Sequence, residues 1–258
     1  MWSMSQLYVA HYGDPDGKPL VFIHGWGMHS SVWHPLVERL AHYSVTLIDL
    51  PGLGRSADLI PDPYSLDAVV ELLADVAPEK AAWLGWSLGG IAAMAFAEQY
   101  PERVSKLVTL ATSPCFVQRD DWSAGMAPQV FAEFEASLKD NPVKTLQRFN
   151  MLQVQGSVSA RSDLKQLKLL LAETSQPSET GLSHSLALLR DDYRYLFSGI
   201  KLPVLHILCQ LDSLAPAEIA SGLVGLCPTA KVEVLSEQSH VPLVSAPEKV
   251  VALLESWL

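Results

Sequence analysis

Ser87, Asp212 and His240 are the residues of this chain whose types and order suit nucleophilic hydrolysis. A serine hydroxyl is a weak nucleophile near neutral pH. It needs a base within hydrogen-bond reach, normally a histidine oriented by a buried carboxylate. Ser87 lies in Gly85-Trp86-Ser87-Leu88-Gly89. This G-x-S-x-G pattern marks a sharp strand-to-helix turn that exposes a serine hydroxyl over a helix N-terminus. Glycines at 85, 89 and 90 would let strand and helix approach closely and accept strained dihedrals. His240 follows the last strand-like run, in Ser236-Glu237-Gln238-Ser239-His240-Val241-Pro242, and Asp212 follows a run ending Cys209-Gln210-Leu211. The chain order serine, acid, histidine belongs to this arrangement. Asp49 is the rival acid. Its setting, Asp49-Leu50-Pro51-Gly52-Leu53-Gly54-Arg55-Ser56, suits a loop-shaping carboxylate that bonds backbone amides, so Asp212 is preferred. His11, His29, His34, His42, His184 and His206 read as ordinary polar groups in helices, strand interiors or early loops.

An acyl-transfer intermediate carries an oxyanion that two aimed donors must hold. The N–H of Leu88, just after the nucleophile, is one. The N–H of Trp26, in His24-Gly25-Trp26-Gly27, is the expected second, because flanking glycines let that backbone turn inward. The Trp26 indole would then wall an acyl site. A further pattern is cationic. Lys144 and Arg148 are four apart and share a helix face. Arg161 and Lys165 repeat the spacing, Lys168 follows, and the only acid between Lys144 and Lys168 is Asp163. With Phe149, Met151 and Leu152 among the charges, this reads as an apolar groove under a cationic rim, fit for a greasy ligand with an anionic end or carrier. A solvated helix face is the plainer alternative.

The elements that must position these groups alternate. Leu20-Val21-Phe22-Ile23, Val45-Thr46-Leu47-Ile48, Ala81-Ala82-Trp83-Leu84, Leu107-Val108-Thr109-Leu110, Val204 to Leu208 and Val232 to Leu235 read as strands. Helical spacing covers Val32 to His42, Tyr64 to Ala77, Gly90 to Ala97, Ala217 to Leu226 and Pro247 to Leu258. Continuous apolar strands separated by helices predict an α/β fold with a parallel sheet covered on both faces. Leu7 to Ala10 and the turn Gly13 to Gly17 predict an antiparallel edge hairpin. From Phe116 to Phe197 only helical periodicity is legible: Met126 to Leu138, Val143 to Val154, Ala160 to Glu173 and Leu182 to Tyr195. Asn141-Pro142, Gln155-Gly156 and Gln176-Pro177-Ser178 divide them. This predicts a core of residues 1–115 and 198–258 with a helical lid, 116–197, inserted in it.

The 258 residues are 49% hydrophobic, enough for a large core, and the formal charge of −10 argues against nucleic acid and anionic membranes. Cys115, Cys209 and Cys227 cannot all pair and match no zinc spacing. The first residues lack the basic and apolar regions of a secretion signal. Ala81 to Ala97, the longest nearly uncharged apolar stretch, is short for a membrane span. A cytoplasmic, monomeric protein without metal or organic cofactor is the expectation.

Over its full length the chain resembles the α/β-hydrolase superfamily. More narrowly, it looks like the pimeloyl-[acyl-carrier protein] methyl ester esterase family of biotin synthesis. The matching residues are His24-Gly25-Trp26-Gly27, Asp49-Leu50-Pro51-Gly52, Trp83-Leu84-Gly85-Trp86-Ser87-Leu88-Gly89-Gly90, Ser113-Pro114-Cys115-Phe116 and Gln147-Arg148-Phe149. The resemblance implies a triad of Ser87, Asp212 and His240. It also implies substrate contacts at Trp26, at Ser87 and Leu88, and at Phe149, Asn150, Met151, Leu152 and Gln153. The family's four lid arginines fall on Lys144, Arg148, Arg161 and Lys165, which would meet an acidic acyl carrier protein. Two are lysine here, which keeps charge but loses the planar two-point grip. The implied activity is hydrolysis of the carrier-bound methyl ester. His240 would act as the general base. A general short-chain carboxylesterase and a non-catalytic ligand-binding protein of the same fold are the alternatives.

Overall fold

The apolar runs become strands of one seven-stranded sheet in the computed structural model, which describes residues 6–174 and 177–258. Residues 1–5, within the stretch read above as lacking a secretion signal, and Gln176 of the Gln176-Pro177-Ser178 turn lie outside the described residues. The strands are β1 (Val9–Gly13), β2 (Lys18–Ile23), β3 (Tyr43–Ile48), β4 (Ala81–Trp86), β5 (Val104–Leu110), β6 (Val204–Cys209) and β7 (Lys231–Leu235). Their spatial order is β1-β3-β2-β4-β5-β6-β7, and every pair but β1 with β3 is parallel. All residues of β4 and β6 are buried, as strands covered on both faces must be.

The helices are α1 (His34–Val37), α2 (Leu66–Val76), α3 (Leu88–Gln99), α4 (Pro128–Asp140), α5 (Pro142–Gln153), α6 (Ala160–Leu171), α7 (Glu179–Leu188), α8 (Arg194–Gly199), α9 (Ile219–Leu226), α10 (Pro242–Ser245) and α11 (Pro247–Trp257). Helix α3 packs on β4 and β5, and α2 packs on α3. Between β5 and β6 the described residues hold five helices, α4 to α8, and only isolated β-bridges. No helix is long and apolar enough to cross a membrane among the described residues. Cys115, Cys209 and Cys227 are buried free thiols.

Three expectations are corrected. The first strand is antiparallel and at the edge, but it pairs with β3, Val9 opposite Ile48, and forms no hairpin with β2. β2 is apolar on both faces and takes the covered place between β3 and β4, while β1, with three exposed residues, suits the rim. The helix read over Val32 to His42 is a 3₁₀ turn, Ser30–Trp33, followed by the single turn of α1. Tight bonds from Arg39 N to Leu36 O and from Leu40 N to Val37 O close it before the chain bends into β3. The helix read over Leu182 to Tyr195 is two, α7 and α8. Between them, Asp192 Oδ1 accepts from the N–H of Arg194 two residues on, an Asx turn that leads into α8.

His206 lies fully buried in β6, sharing a hydrogen bond of 2.7 Å with Thr109 Oγ1 and stacking on Phe197 at 5.4 Å. Its Nε2 has no partner. Burial disfavours the charged ring and pushes its pKa down to about 4. The folded state thus refuses a proton that the unfolded chain accepts near its ordinary value. Stability carried by neutral His206 is complete above that value and is lost as pH falls through about 4. The full loss is about 3 kcal/mol. His206→Phe, which keeps a ring against Phe197, should flatten the decline in urea-unfolding free energy between pH 6.5 and pH 4.

Candidate active site

Ser87 sits between the end of β4 and the first residue of α3. Its backbone takes φ 55° and ψ −119°, a conformation that costs a non-glycine residue about 1–3 kcal/mol. Strain therefore falls on the serine itself. Gly85, Gly89 and Gly90 are not at positive φ; they are needed for space. A Cβ at Gly85 would strike Gly89 O, one at Gly89 would strike Ile23 O, and one at Gly90 would strike Thr112 Oγ1. The strained turn is held from the neighbouring strand. Ser87 N donates to Leu110 O at 2.9 Å, and Thr112 Oγ1 donates to Ser87 O at 3.2 Å.

The structure brings Asp212 to His240. Asp212 Oδ2 accepts from His240 Nδ1 at 2.7 Å, and both side chains are out of solvent. The other oxygen, Oδ1, accepts from the N–H groups of Leu214 at 2.8 Å and Ala215 at 3.0 Å. A carboxylate held this way cannot swing off the ring. A proton kept on Nδ1 leaves Nε2 as the basic nitrogen, and that atom is buried without a partner. Ser87 and His240 share no hydrogen bond here. Such bonds are often long until substrate arrives. The two residues are neighbours through Trp86, whose Nε1–H donates to His240 O at 2.9 Å. His240 N in turn donates to Gln153 O at 3.1 Å.

Leu88 opens α3, so its N–H is among the donors a helix start leaves unpaired. The loop bearing Trp26 comes close: a Cβ at Gly25 would sit 3.2 Å from Ser87 Cβ. Gly27 has φ +69°, which favours glycine. His24 ties this loop to the next one. Its Nδ1–H donates to Gly25 O at 2.8 Å, and its Nε2 accepts from Leu50 N at 2.9 Å. Burial holds the His24 pKa below the ordinary value, which favours the neutral ring that this pair of bonds requires. Asp49 shapes the same region. Its Oδ1 accepts from Ser30 N at 2.6 Å and its Oδ2 from Arg55 N at 2.8 Å.

An apolar cavity opens at Ser87, lined by Phe116, Met126, Phe131, Phe134, Phe149, Leu152, Leu186, Leu189 and Leu214. Most of these come from the helices between β5 and β6. The Trp26 indole stands behind this wall. It packs edge-on against Phe149 at 4.8 Å and Phe134 at 5.5 Å, and its Nε1–H donates to Leu182 O at 2.9 Å. Among the contacts expected on α5, Phe149 and Leu152 line the cavity. The others do not. Asn150 lines a separate, more polar cleft with Gly27, His29, Gln147 and Lys168. Met151 is half exposed on the outer face, and Gln153 is buried with its carbonyl on His240. Helical periodicity explains this split: residues 149 and 152 lie about 60° apart, while 151 is turned about 100° from 152 and about 160° from 149.

Lys144, Arg148, Arg161 and Lys165 are all exposed on α5 and α6, which pack together. None forms an ion pair among the described residues. Asp163 is turned inward, accepting from Ser157 Oγ at 3.0 Å and Ser159 Oγ at 2.7 Å. The outer face is left cationic. Among the described residues, no group of three or more His, Cys, Asp or Glu side chains could hold a metal ion. Sequence reasoning missed the two backbone holds on His240. Trp86 stands in the motif, where the sequence alone assigns it no role, and no sequence signal marks a carbonyl such as Gln153 O.

Residues 18–247 match the family model of the alpha/beta hydrolase fold. The chain is 40% identical to the pimeloyl-[acyl-carrier protein] methyl ester esterase of Yersinia pseudotuberculosis serotype O:1b, over 97% of this chain and 96% of that protein. It is also 40% identical to the protein of that name from Aeromonas hydrophila, over 94% of this chain and 96% of that one. In solved structures, an esterase from Exiguobacterium antarcticum superposes with a TM-score of 0.85 at 24% identity, covering 97% of this chain and 94% of that one. An enol-lactonase from Burkholderia xenovorans does so with a TM-score of 0.83 at 19% identity, covering 97% and 95%. These two likenesses speak for the fold alone. The chain belongs to the α/β-hydrolase family and, within it, to the pimeloyl-[acyl-carrier protein] methyl ester esterases.

Proposed function

We propose that this carboxylic ester hydrolase cleaves the methyl ester of a pimeloyl chain carried on acyl carrier protein, using Ser87, His240 and Asp212. The observation that carries the reading is the buried Asp212–His240 pair at 2.7 Å, joined through Trp86 to a serine in the strained elbow. His240 Nε2 takes the proton of Ser87 as Oγ attacks the ester carbonyl. The N–H groups of Trp26 and Leu88 hold the oxyanion. His240 returns the proton to the methoxy group and methanol leaves. Water, deprotonated by His240, then cleaves the acyl-enzyme, freeing the carboxylate and restoring the serine. No metal or organic cofactor enters these steps. The product's free carboxylate suits the family's place in biotin synthesis.

The segment 116–197 acts as a lid on a core of residues 1–115 and 198–258. The acyl chain lies against Phe149 and Leu152 between the two. The carrier is acidic, and its docking face is the exposed row Lys144, Arg148, Arg161 and Lys165. The inward turn of Asp163 supports this, since it leaves that face without a competing carboxylate. The protein works as a cytoplasmic monomer. Turnover of methyl pimeloyl-carrier protein against simple methyl esters tests the substrate. A large preference for the carrier substrate is expected, and equal kcat/KM values would leave a general carboxylesterase. Reversing Arg148 and Arg161 to Glu should raise KM for the carrier substrate about tenfold or more, an effect that salt weakens. The same pair should leave a short soluble ester almost untouched.

A further inference from the structure

Asp212 fixes one atom of the His240 ring, Nδ1, and the ring can still pivot about that bond. What sets the direction of Nε2 is the backbone that carries the ring. Two groups hold it. Gln153 O, at the end of α5, takes the His240 N–H at 3.1 Å. The Trp86 indole N–H holds the His240 carbonyl at 2.9 Å, and its ring lies 5.7 Å from the imidazole at 44°. The first hold belongs to the helical segment whose Phe149 and Leu152 meet the cavity. The second belongs to β4, the strand that ends at the nucleophile.

Such a bond is not simply what a buried indole does in this protein. The Nε1 atoms of Trp33, Trp83, Trp122 and Trp257 are buried without a hydrogen-bond partner. Trp86 is 0% exposed and adjoins Ser87 in the chain. The residue next to the serine thus reaches across to the histidine's own backbone.

We propose that Trp86 is a positioning residue, whose indole N–H sets the reach of His240 Nε2 to Ser87 from the core side. The proposal rests on the reading of Ser87, His240 and Asp212 as one triad. Losing the donor lets the His240 segment relax on the side not held by Gln153, and the imidazole drifts from the serine. Displacements of about 1 Å in such constellations cost about a hundredfold in rate.

Trp86→Phe keeps a ring and removes the N–H. Trp83→Phe is the matched control, since Trp83 is as deeply buried, stacks on Phe96 at 4.0 Å and donates no hydrogen bond. For folded protein, Trp86→Phe should lower kcat about 10- to 100-fold. KM should stay within about threefold, because the acyl wall and the cationic face are intact. Serine labelling by a fluorophosphonate should slow in proportion. Trp83→Phe should keep both rates within about threefold of the parent protein. Should Trp86→Phe fail to fold, 3-benzothienylalanine at position 86 keeps the bicyclic shape and replaces only N–H by sulfur. The same fall in kcat is expected there. If either folded variant turns over like Trp83→Phe, or its loss lies wholly in KM, the positioning role is overturned. His240→Ala separates this from the triad itself. An active His240→Ala sinks the triad reading, whereas an inactive one beside a fully active Trp86 variant sinks only the inference.

Discussion

Ser87→Ala should cut kcat on methyl pimeloyl-carrier protein by about four to six orders of magnitude and abolish fluorophosphonate labelling. On the proposed reading KM should change little, because the hydroxyl would make the bond while the acyl chain would be held by the cavity that Phe149, Leu152 and their neighbours line. The residual rate would come from the two proposed oxyanion donors and from binding. The substitution is also a clean one for the fold. Ser87 N and O bond through backbone atoms to Leu110 O and Thr112 Oγ1, and alanine keeps both contacts. Its stability by urea unfolding should match the parent protein within about 1 kcal/mol. Residues that act as a unit are not additive, so adding His240→Ala to Ser87→Ala should cost almost nothing more. A Ser87→Ala protein with more than a few per cent of parental kcat would mean that the nucleophile lies elsewhere.

Much of this site was legible in sequence because its chemistry needs rare residue types at constrained places. A serine between two glycines, after an apolar run and before alanines, admits few readings. The acid and the base each follow a strand on the same rim, so the parallel alternation that gave the fold also gave their neighbourhood. The separation of Asp49 from Asp212 followed from local company. Asp49 sits among glycines whose amides want an acceptor, and its two oxygens take Ser30 N and Arg55 N. What was not legible depends on long-range packing. Whether Asn150 or Leu152 meets the cavity depends on the roll of α5, and periodicity fixes only their separation on the helix. The pairing of β1 with β3 depends on which strand most needs two neighbours. The bond from Trp86 to His240 joins residues 154 apart, and only the folded chain brings them together. The assignment of strain to the glycines was a reasonable use of their freedom, but in the folded turn they supply room and Ser87 takes the positive φ.

The largest effect expected on folding comes from that room. Gly89→Ala would place a methyl group inside the contact distance of Ile23 O and His24 O, two backbone atoms that no rotamer change can move. Relief requires α3 to back away from the end of β2. The cost should be about 3 kcal/mol or more, beyond the usual overpacking penalty because backbone is what must yield. The same retreat carries Leu88 N–H away from the loop that bears Trp26, so the two proposed oxyanion donors would separate. The surviving folded fraction should therefore show a lower kcat as well as a lower urea midpoint. Gly225→Ala provides the contrast. It lies in α9, a Cβ there meets nothing within 4 Å, and its φ is not positive. Alanine at that position should stabilise the protein by about 0.5–1 kcal/mol through helix propensity alone and leave kcat unchanged. Two glycine-to-alanine changes in helices would then differ in sign on stability and in kind on catalysis. The difference arises because one glycine makes space where the strand, the nucleophile and the oxyanion loop converge, and the other does not. Equal urea midpoints for the two variants would mean that the convergence at Gly89 is looser than its backbone contacts require.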